Sequence, residues 1–270
     1  MQQVLITGAA GGIGRAAAKK FSAQGNSLWL VDRDGSALEE LSRELPQCRA
    51  SIVDLADRVQ LSNLLSEIEN YSGELAVGLV NAGIASTLFV ADSDPADLDL
   101  QLEVNLRSAI QINRALAKKM LTQKHGHIIN TISAAALVPL PGSATYSATK
   151  FGLRGFTNAL HAELHGSGVY VSGIYPSAVD TPMLRWEVRN GGSPLNFVST
   201  PKSADYIAEL ILKALRTRKL EYYSSRSDSW MGKLIGCVPG LLVRIYPFFA
   251  RLGQRGMQRY RRQVELQGEH

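Results

Sequence analysis

Cysteine is nearly absent from this chain, and so is acid from its last sixth; both shortages exclude something. Cys48 and Cys237 are the only cysteines in 270 residues, so neither a disulfide scaffold nor a zinc site built on cysteine pairs is available. No run of about 20 apolar residues occurs, and the longest uncharged stretch of the C-terminal tail, Leu234 to Val243, would reach only ~15 Å as a helix against a hydrocarbon core of ~30 Å. Low-complexity linkers and internal repeats are missing too, which favours one large domain over two small ones. Apolar residues make up 45% and charged residues 20%, a balance that excludes a disordered chain and a membrane bundle. An apolar run begins at Val4, too early for the basic and apolar regions of a signal peptide, so a cytoplasmic location is expected.

The net charge of +5 is unevenly spread. Residues 1–228 carry equal numbers of basic and acidic side chains, whereas residues 229–264 hold Lys233, Arg244, Arg251, Arg255, Arg259, Arg261 and Arg262 and no acid. The composition therefore divides the chain into a balanced body, 1–228, and a basic, amphipathic segment, 229–270.

Along the body, short β-branched runs alternate with helical patterns, the signature of βα units feeding a parallel sheet. Strands are expected near 3–7, 27–32, 49–53, 76–81, 127–133, 169–175 and 220–224. Helices are expected near 12–24, 35–45, 57–70, 95–123, 144–165 and 201–218, the last with Thr200 as cap and Pro201 in its first turn. The expected fold is a doubly wound, Rossmann-type α/β domain of about seven parallel strands with a helical C-terminal appendage.

The first strand runs into Thr7-Gly8-Ala9-Ala10-Gly11-Gly12-Ile13-Gly14 and then a helix. Glycines at 8, 12 and 14 would allow a tight turn, bring backbone amides against a pyrophosphate and let the helix pack on the sheet, while the helix N-terminus adds partial positive charge. Asp32 closes the second strand, where a carboxylate can accept both adenosine ribose hydroxyls and repel a 2′-phosphate; NAD is expected and NADP is the less favoured alternative. Arg33 beside it argues the other way, since it could pair with that phosphate, and Asp32 could instead be a strand-end turn residue.

Tyr146 and Lys150 in Tyr-Ser-Ala-Thr-Lys share one helix face, and a cation beside a phenol would lower its pKa towards the range useful for proton transfer. Such a pair alone is commonplace, but Ser133 precedes it at the end of a strand, on the side where doubly wound sheets bind ligands.

At this point the chain resembles the short-chain dehydrogenase/reductase family over residues 2 to about 224. The resemblance rests on the glycine-rich turn, Asp54-Leu55 after the third strand, Asn81-Ala82-Gly83 after the fourth, Asn105 in the long helix, Ser133, and the Tyr146–Lys150 pair. It implies that Tyr146 is the catalytic acid/base, with Lys150 as its pKa partner and the ligand of the nicotinamide ribose. It implies that Ser133 polarises the substrate oxygen and that Asn105 holds a water linking Lys150 to solvent. Asp54 and Leu55 would meet the adenine, Ala82 and Gly83 would let it approach the backbone, and Ile13 would lie under the nicotinamide. Pro176, Val179 and Thr181 would form the loop over that ring. Asn81 equally reads as a tie between neighbouring strands, and Asn105 as a helix-to-loop hydrogen-bonding residue. Two departures from the family pattern stand out: Ser177 where Gly usually follows the Pro, and Ala134 to Ala136 after Ser133.

The implied activity is hydride transfer between NAD(P) and an alcohol or carbonyl. The alternatives are an NADP-dependent reductase of carrier-bound 3-oxoacyl groups and a non-catalytic dinucleotide sensor. Leu137, Val138, Leu140, Met183, Leu184, Trp186, Leu195 and Phe197 on two flanking loops suggest a small apolar substrate, with Arg185 and Arg189 left to face solvent or bind an acidic head group. Small residues on the Tyr146 helix, Ala144, Ala148, Gly152 and Gly155, suit close packing, and the family commonly pairs this helix across a dimer interface, so a homodimer or homotetramer is expected. The histidines lack a metal-ligand pattern and read as surface residues; no metal and no nucleic-acid partner is expected. The segment 230–262 mixes Trp230, Met231, Leu234, Ile235, Leu241, Leu242, Ile245, Phe248 and Phe249 with arginines at spacings of 4, 4 and 3. It fits a peripheral helix on an anionic membrane surface, a lid over an apolar substrate, or a dimer clasp.

Overall fold

A computed structural model of the chain describes residues 2–225, Trp230, Leu234 and residues 239–267. Strands β1 (Gln3–Thr7), β2 (Ser27–Asp32), β3 (Cys48–Ile52), β4 (Leu75–Val80), β5 (Gly126–Thr131), β6 (Val169–Tyr175) and β9 (Glu221–Tyr223) form one parallel sheet in the order β3-β2-β1-β4-β5-β6-β9. The chain order reverses between β1 and β4, so the connections after these two strands diverge and open a crevice at their carboxyl ends.

The strand sequences explain the layers. Successive side chains point to opposite faces. Leu5, Trp29 and Ile128 therefore enter one core, with α3 (Arg58–Glu69), α5 (Ser108–Gln123) and α6 (Ala144–Glu163). Val4, Ile6, Leu28, Leu30 and Ile129 enter the other, with α1 (Gly12–Ala23), α2 (Gly35–Glu44) and α8 (Ala204–Thr217). Both faces are covered, which is why these strands read as continuous apolar runs. Trp29, fully buried, still satisfies its indole N–H on Ser51 Oγ at 3.0 Å. Asp34 and Asp57 cap α2 and α3 through their carboxylates.

Three expectations need correction. The single helix expected over 95–123 is α4 (Pro95–Leu102), capped by Asp94, a π-turn at Glu103–Arg107, and α5. The wider turn swings Asn105 inward, and such turns recur at functional positions. The helix expected from Pro201 begins at Ala204 with Ser203 as its cap, because Lys202–Ser203 (β8) pairs instead with Val179–Asp180 (β7). His127 is not a surface residue: it is 5% exposed, its Nε2 lies 2.9 Å from Ser172 Oγ, and burial holds its pKa down at about 4. Among the described residues no cluster suits a metal ion.

A helix not anticipated from sequence, α7 (Pro182–Arg189), is capped by Thr181 and leads to a short helical turn at Pro194–Phe197. Across these lies the C-terminal helix, α9 (Pro239–Gln267), which is docked on the body. Gly253 and Gly256 ride on the carbonyls of Pro194 and Phe197 so closely that neither site has room for a Cβ. The Tyr260 ring packs tilted against Phe197, centroids 5.4 Å apart, and its hydroxyl donates to Asp180 Oδ1 at 2.6 Å. Leu184, Val188, Phe197, Tyr260 and Val264 form a third small core around this contact. Residues 226–229, where the composition changes, lie outside the described residues, as do Met231, Lys233, Ile235 and Cys237. No helix among the described residues is long and apolar enough to cross a membrane.

Candidate active site

The crevice between β1 and β4 continues into one cleft of about 730 Å³ that reaches from the first glycine-rich turn to the C-terminal helix. Of the eighteen residues that the sequence assigns to the dinucleotide and to catalysis, sixteen line it; Gly14 and Asn105 stand behind the wall.

At the strand-order reversal, Gly8 adopts φ +64 with Ala82 pressed against the space a Cβ would need. Gly12 leaves no room for a side chain beside Thr181, and Gly14 packs on the Gly8 carbonyl, so it shapes the turn without facing the cleft. No side chain caps the first turn of α1 behind Gly11, so the helix presents bare backbone there. Asn81 serves as the tie between strands: its Nδ2 donates to the Thr7 and Gly8 carbonyls at 3.2 Å, and its N–H to Thr7 Oγ1 at 3.0 Å. The Ala82 N–H donates to the same Thr7 hydroxyl at 3.2 Å.

Asp32 accepts from Ala10 N at 2.9 Å through Oδ2 and from Asp34 N at 3.1 Å through Oδ1. A carboxylate has about four lone-pair sites, so each oxygen keeps one for a further donor. Arg33 lies exposed on the same rim. Asp54, Leu55, Ile13 and Gly83 complete this end, with Pro176, Val179 and Thr181 opposite. Ser177, the departure from Gly, finds a partner in this chain: its N–H donates to Ser224 Oγ at 2.9 Å and the two hydroxyls lie 2.8 Å apart.

These features fit a dinucleotide: a glycine cradle closed to side chains, a bare helix N-terminus and a carboxylate with free acceptor capacity at the end of β2.

Further along, Ser133, Tyr146 and Lys150 converge on the cleft. Ser133 follows β5 and opens the turn Ala134–Ala136, accepting from Ala135 N at 3.0 Å. Tyr146 and Lys150 lie one turn apart on α6, with Lys150 Nζ 5.5 Å from the Tyr146 ring centroid. Lys150 is 3% exposed and donates to the Thr131 carbonyl at 3.2 Å. Asn105 faces Ile84 across the π-turn: Oδ1 accepts from Ile84 N and Nδ2 donates to Ile84 O, both at 2.8 Å, with Thr149 Oγ1 at 3.4 Å. It pins the backbone that follows Gly83.

The electrostatics depart from expectation. Tyr146 is pushed up to about 12, first by burial and then by the carboxylate of Glu187, while a hydrogen bond from Ser133 pulls the other way. Lys150 was expected to lower it, but burial moves Lys150 itself down to about 8. In a low-dielectric pocket the ammonium pays a desolvation cost of its own, yet with a pKa of about 8 it keeps most of its charge near neutral pH and loses it only as the pH rises past that value.

Glu187 is the residue that sequence reasoning missed. It lies on α7, lines the cleft, accepts from Asn196 Nδ2 at 2.9 Å, and is raised by burial to about 7. Its only sequence signal is its place in a run capped by Thr181, which identifies a helix and not the direction its faces point. Arg185 and Arg189, weighed as anion ligands, do not line the cleft: Arg185 pairs with Asp180 at 3.0 Å and Arg189 is exposed. Leu137, Val138, Leu140, Met183, Leu184 and Leu195 line it as expected. Trp186 is 47% exposed and Phe197 is buried against α9, so neither contributes. Ile245, Tyr246 and Phe249 of α9 take their place and form part of the apolar wall.

Residues 2–190 match the family model described as short chain dehydrogenase. The chain is 31% identical over 264 residues to dehydrogenase/reductase SDR family member 7B of Bos taurus, covering 92% of this chain and 81% of that protein. Among solved structures, a short-chain dehydrogenase from Sphingobium yanoikuyae in complex with NADPH superposes with a TM-score of 0.79 at 25% identity, covering 90% of this chain and 96% of that one. A 3-ketoacyl-(acyl-carrier-protein) reductase from Brucella melitensis complexed with NADH superposes with a TM-score of 0.72 at 25% identity, covering 84% and 98%.

Proposed function

This chain belongs to the short-chain dehydrogenase/reductase family, and we propose that it transfers a hydride between NAD and an apolar alcohol or the corresponding carbonyl compound, with Tyr146 moving the proton. As a family member it is an NAD(P)-dependent oxidoreductase acting on alcohol and carbonyl groups. The single observation behind the finer reading is the continuity of the cleft. The glycine cradle, the Ser133–Tyr146–Lys150 group and an apolar wall share one volume, so a dinucleotide and a fatty substrate can meet at Tyr146.

The nicotinamide, when bound, supplies the hydride or accepts it. The chain's own residues do the rest. Ser133 donates a hydrogen bond to the substrate oxygen and orients it. Tyr146 Oη gives a proton to that oxygen during reduction and takes it back during oxidation. Lys150 holds the ribose hydroxyls and adds positive charge beside the phenol; Asn105 acts behind it by positioning the backbone at Ile84. The apolar wall, including Ile245, Tyr246 and Phe249, excludes water from the reacting carbon.

The preference for NAD rests on Asp32, whose remaining lone pairs suit ribose hydroxyls and would repel a 2′-phosphate. Arg33 supports the opposite choice, and the likeness to the Brucella melitensis protein supports a second reading, reduction of carrier-bound 3-oxoacyl groups. Initial rates with NAD(H) and NADP(H) over alcohols and ketones of graded alkyl length, with a 3-oxoacyl thioester in parallel, test both. The first reading expects kcat/KM to rise with alkyl length; a fall with length, or activity confined to the thioester, refutes it. A homodimer or homotetramer is part of the proposal: on α6, Phe151 is 41% exposed and Gly155 faces open space, which suits a neighbouring helix. Light scattering of the purified protein measures it.

A further inference from the structure

The inner face of α9 is committed to the body. Ile245, Tyr246 and Phe249 line the cleft, Gly253 and Gly256 meet the 194–197 turn, and Tyr260 bonds Asp180. At 100° per residue, Arg244, Arg251, Arg255, Arg259 and Arg262 all fall within a sector of roughly 80° on the opposite side. All five are exposed. Phe248, 68% exposed, lies inside this sector, and Leu252, 44% exposed, at its edge. The one acid among the described residues of the helix, Glu265, sits outside the sector and pairs with Arg261 at 3.0 Å. Trp230 and Leu234, just upstream, are 80% and 55% exposed.

We propose that this outer face of α9 docks the protein on an anionic lipid surface, with the arginines at the head groups and Phe248 and Leu252 in the acyl boundary. Charge complementarity selects this occupant. An isologous contact with a second copy would set the arginine sector against itself, which like charges oppose. A nucleic acid would satisfy the arginines but leave Phe248 and Leu252 without a purpose; a lipid interface uses both. The helix cannot serve by spanning the bilayer, so it lies in the plane of the interface. Docking would also bring the cleft, whose wall is the opposite face of the same helix, to within a helix diameter, ~10 Å, of the phase in which apolar substrates dissolve. That consequence rests on the proposed function; the lipid contact does not.

The test is sedimentation of the full chain with vesicles of phosphatidylcholine alone and of phosphatidylcholine with about one third phosphatidylglycerol, at low and at 0.5 M salt. Binding is expected to the anionic vesicles at low salt and to fall steeply at high salt. A quadruple variant, Arg251→Gln, Arg255→Gln, Arg259→Gln and Arg262→Gln, is expected to bind roughly 10²–10³-fold more weakly, at about fivefold per arginine. Phe248→Ser with Leu252→Ser should weaken binding that persists at high salt. Both variants keep the inner face, so melting temperature and turnover of a water-soluble substrate should match wild type and separate lost docking from lost fold. The proposal is overturned if wild type ignores anionic vesicles at low salt, or if the quadruple variant binds as well as wild type. It is equally overturned if the variants change oligomer size and leave vesicle binding untouched, because the face then joins two copies.

Discussion

Replacing Glu187 by Gln should stabilise the protein by an amount that depends on pH. In the folded chain burial raises this carboxyl from the ordinary value of 4.5 to about 7, so the folded state holds the proton more tightly than the unfolded state does. Below pH 4.5 the group is protonated in both states and its burial costs little. As pH rises through the interval between 4.5 and 7 the unfolded chain ionises freely while the folded one resists, and stability is lost; above pH 7 the loss is constant. At about 1.4 kcal/mol per decade, the loss is about 1 kcal/mol at pH 5 and about 3 kcal/mol at pH 8. Gln has the same shape and can still accept from Asn196, so any fixed offset between the two proteins cancels when the pH values are compared. A chain of this size shifts its melting temperature by about 2–4 °C per kcal/mol, so the advantage of Glu187→Gln should grow by about 5–10 °C between pH 5 and pH 8. Paired thermal melts at the two pH values measure it directly. An advantage that is the same at both would mean that the carboxyl is not desolvated and that its influence on Tyr146 has been misread.

The other expectations concern the same cleft. Removing the Glu187 carboxylate should also shift the pH profile of alcohol oxidation to lower pH, because one cause of the raised Tyr146 pKa disappears; an unmoved profile would separate Glu187 from the reaction. Tyr146→Phe should retain dinucleotide binding, followed by nucleotide fluorescence, and lose at least ~100-fold in turnover; near wild-type rates would remove Tyr146 from the mechanism. NADH should bind more tightly than NADPH, and Asp32→Ala should narrow the gap; a wild-type preference for NADPH would mean that Arg33 governs the choice. Gly256→Val should cost about 1–3 kcal/mol by forcing α9 off the Phe197 carbonyl, and an unchanged melting temperature would show the helix is not clamped there.

Much of this architecture is local and therefore legible without coordinates. Continuous apolar runs such as Val4-Leu5-Ile6 declare a doubly covered strand, the Gly8 to Gly14 spacing declares a turn with no room for side chains, and the i, i+4 relation of Tyr146 and Lys150 follows from helix geometry alone. The π-turn at Asn105 is not legible because no Pro or Gly interrupts 96–123, and one inserted residue only offsets the phase of an otherwise helical pattern. The burial of His127 is not legible because a polar side chain in a strand can be buried when a partner such as Ser172, 45 residues on in the chain, is brought beside it by the neighbouring strand β6.

By itself, then, the sequence determined the seven strands of the main sheet and most of the helices between them, the glycine cradle and which residue types could do the chemistry, because each depends on neighbours a few positions away. Only the tertiary structure decided what surrounds them. Glu187 became part of the site through the direction α7 takes after Thr181, and Arg185 left it by pairing with Asp180. The basic C-terminal segment, for which lid, clasp and membrane helix were all open, acquired two faces when Gly253 and Gly256 brought α9 onto the 194–197 turn. Burial, the pKa of a carboxyl and the outward side of a helix are properties of what packs against a residue, and residues distant in the chain supply that packing.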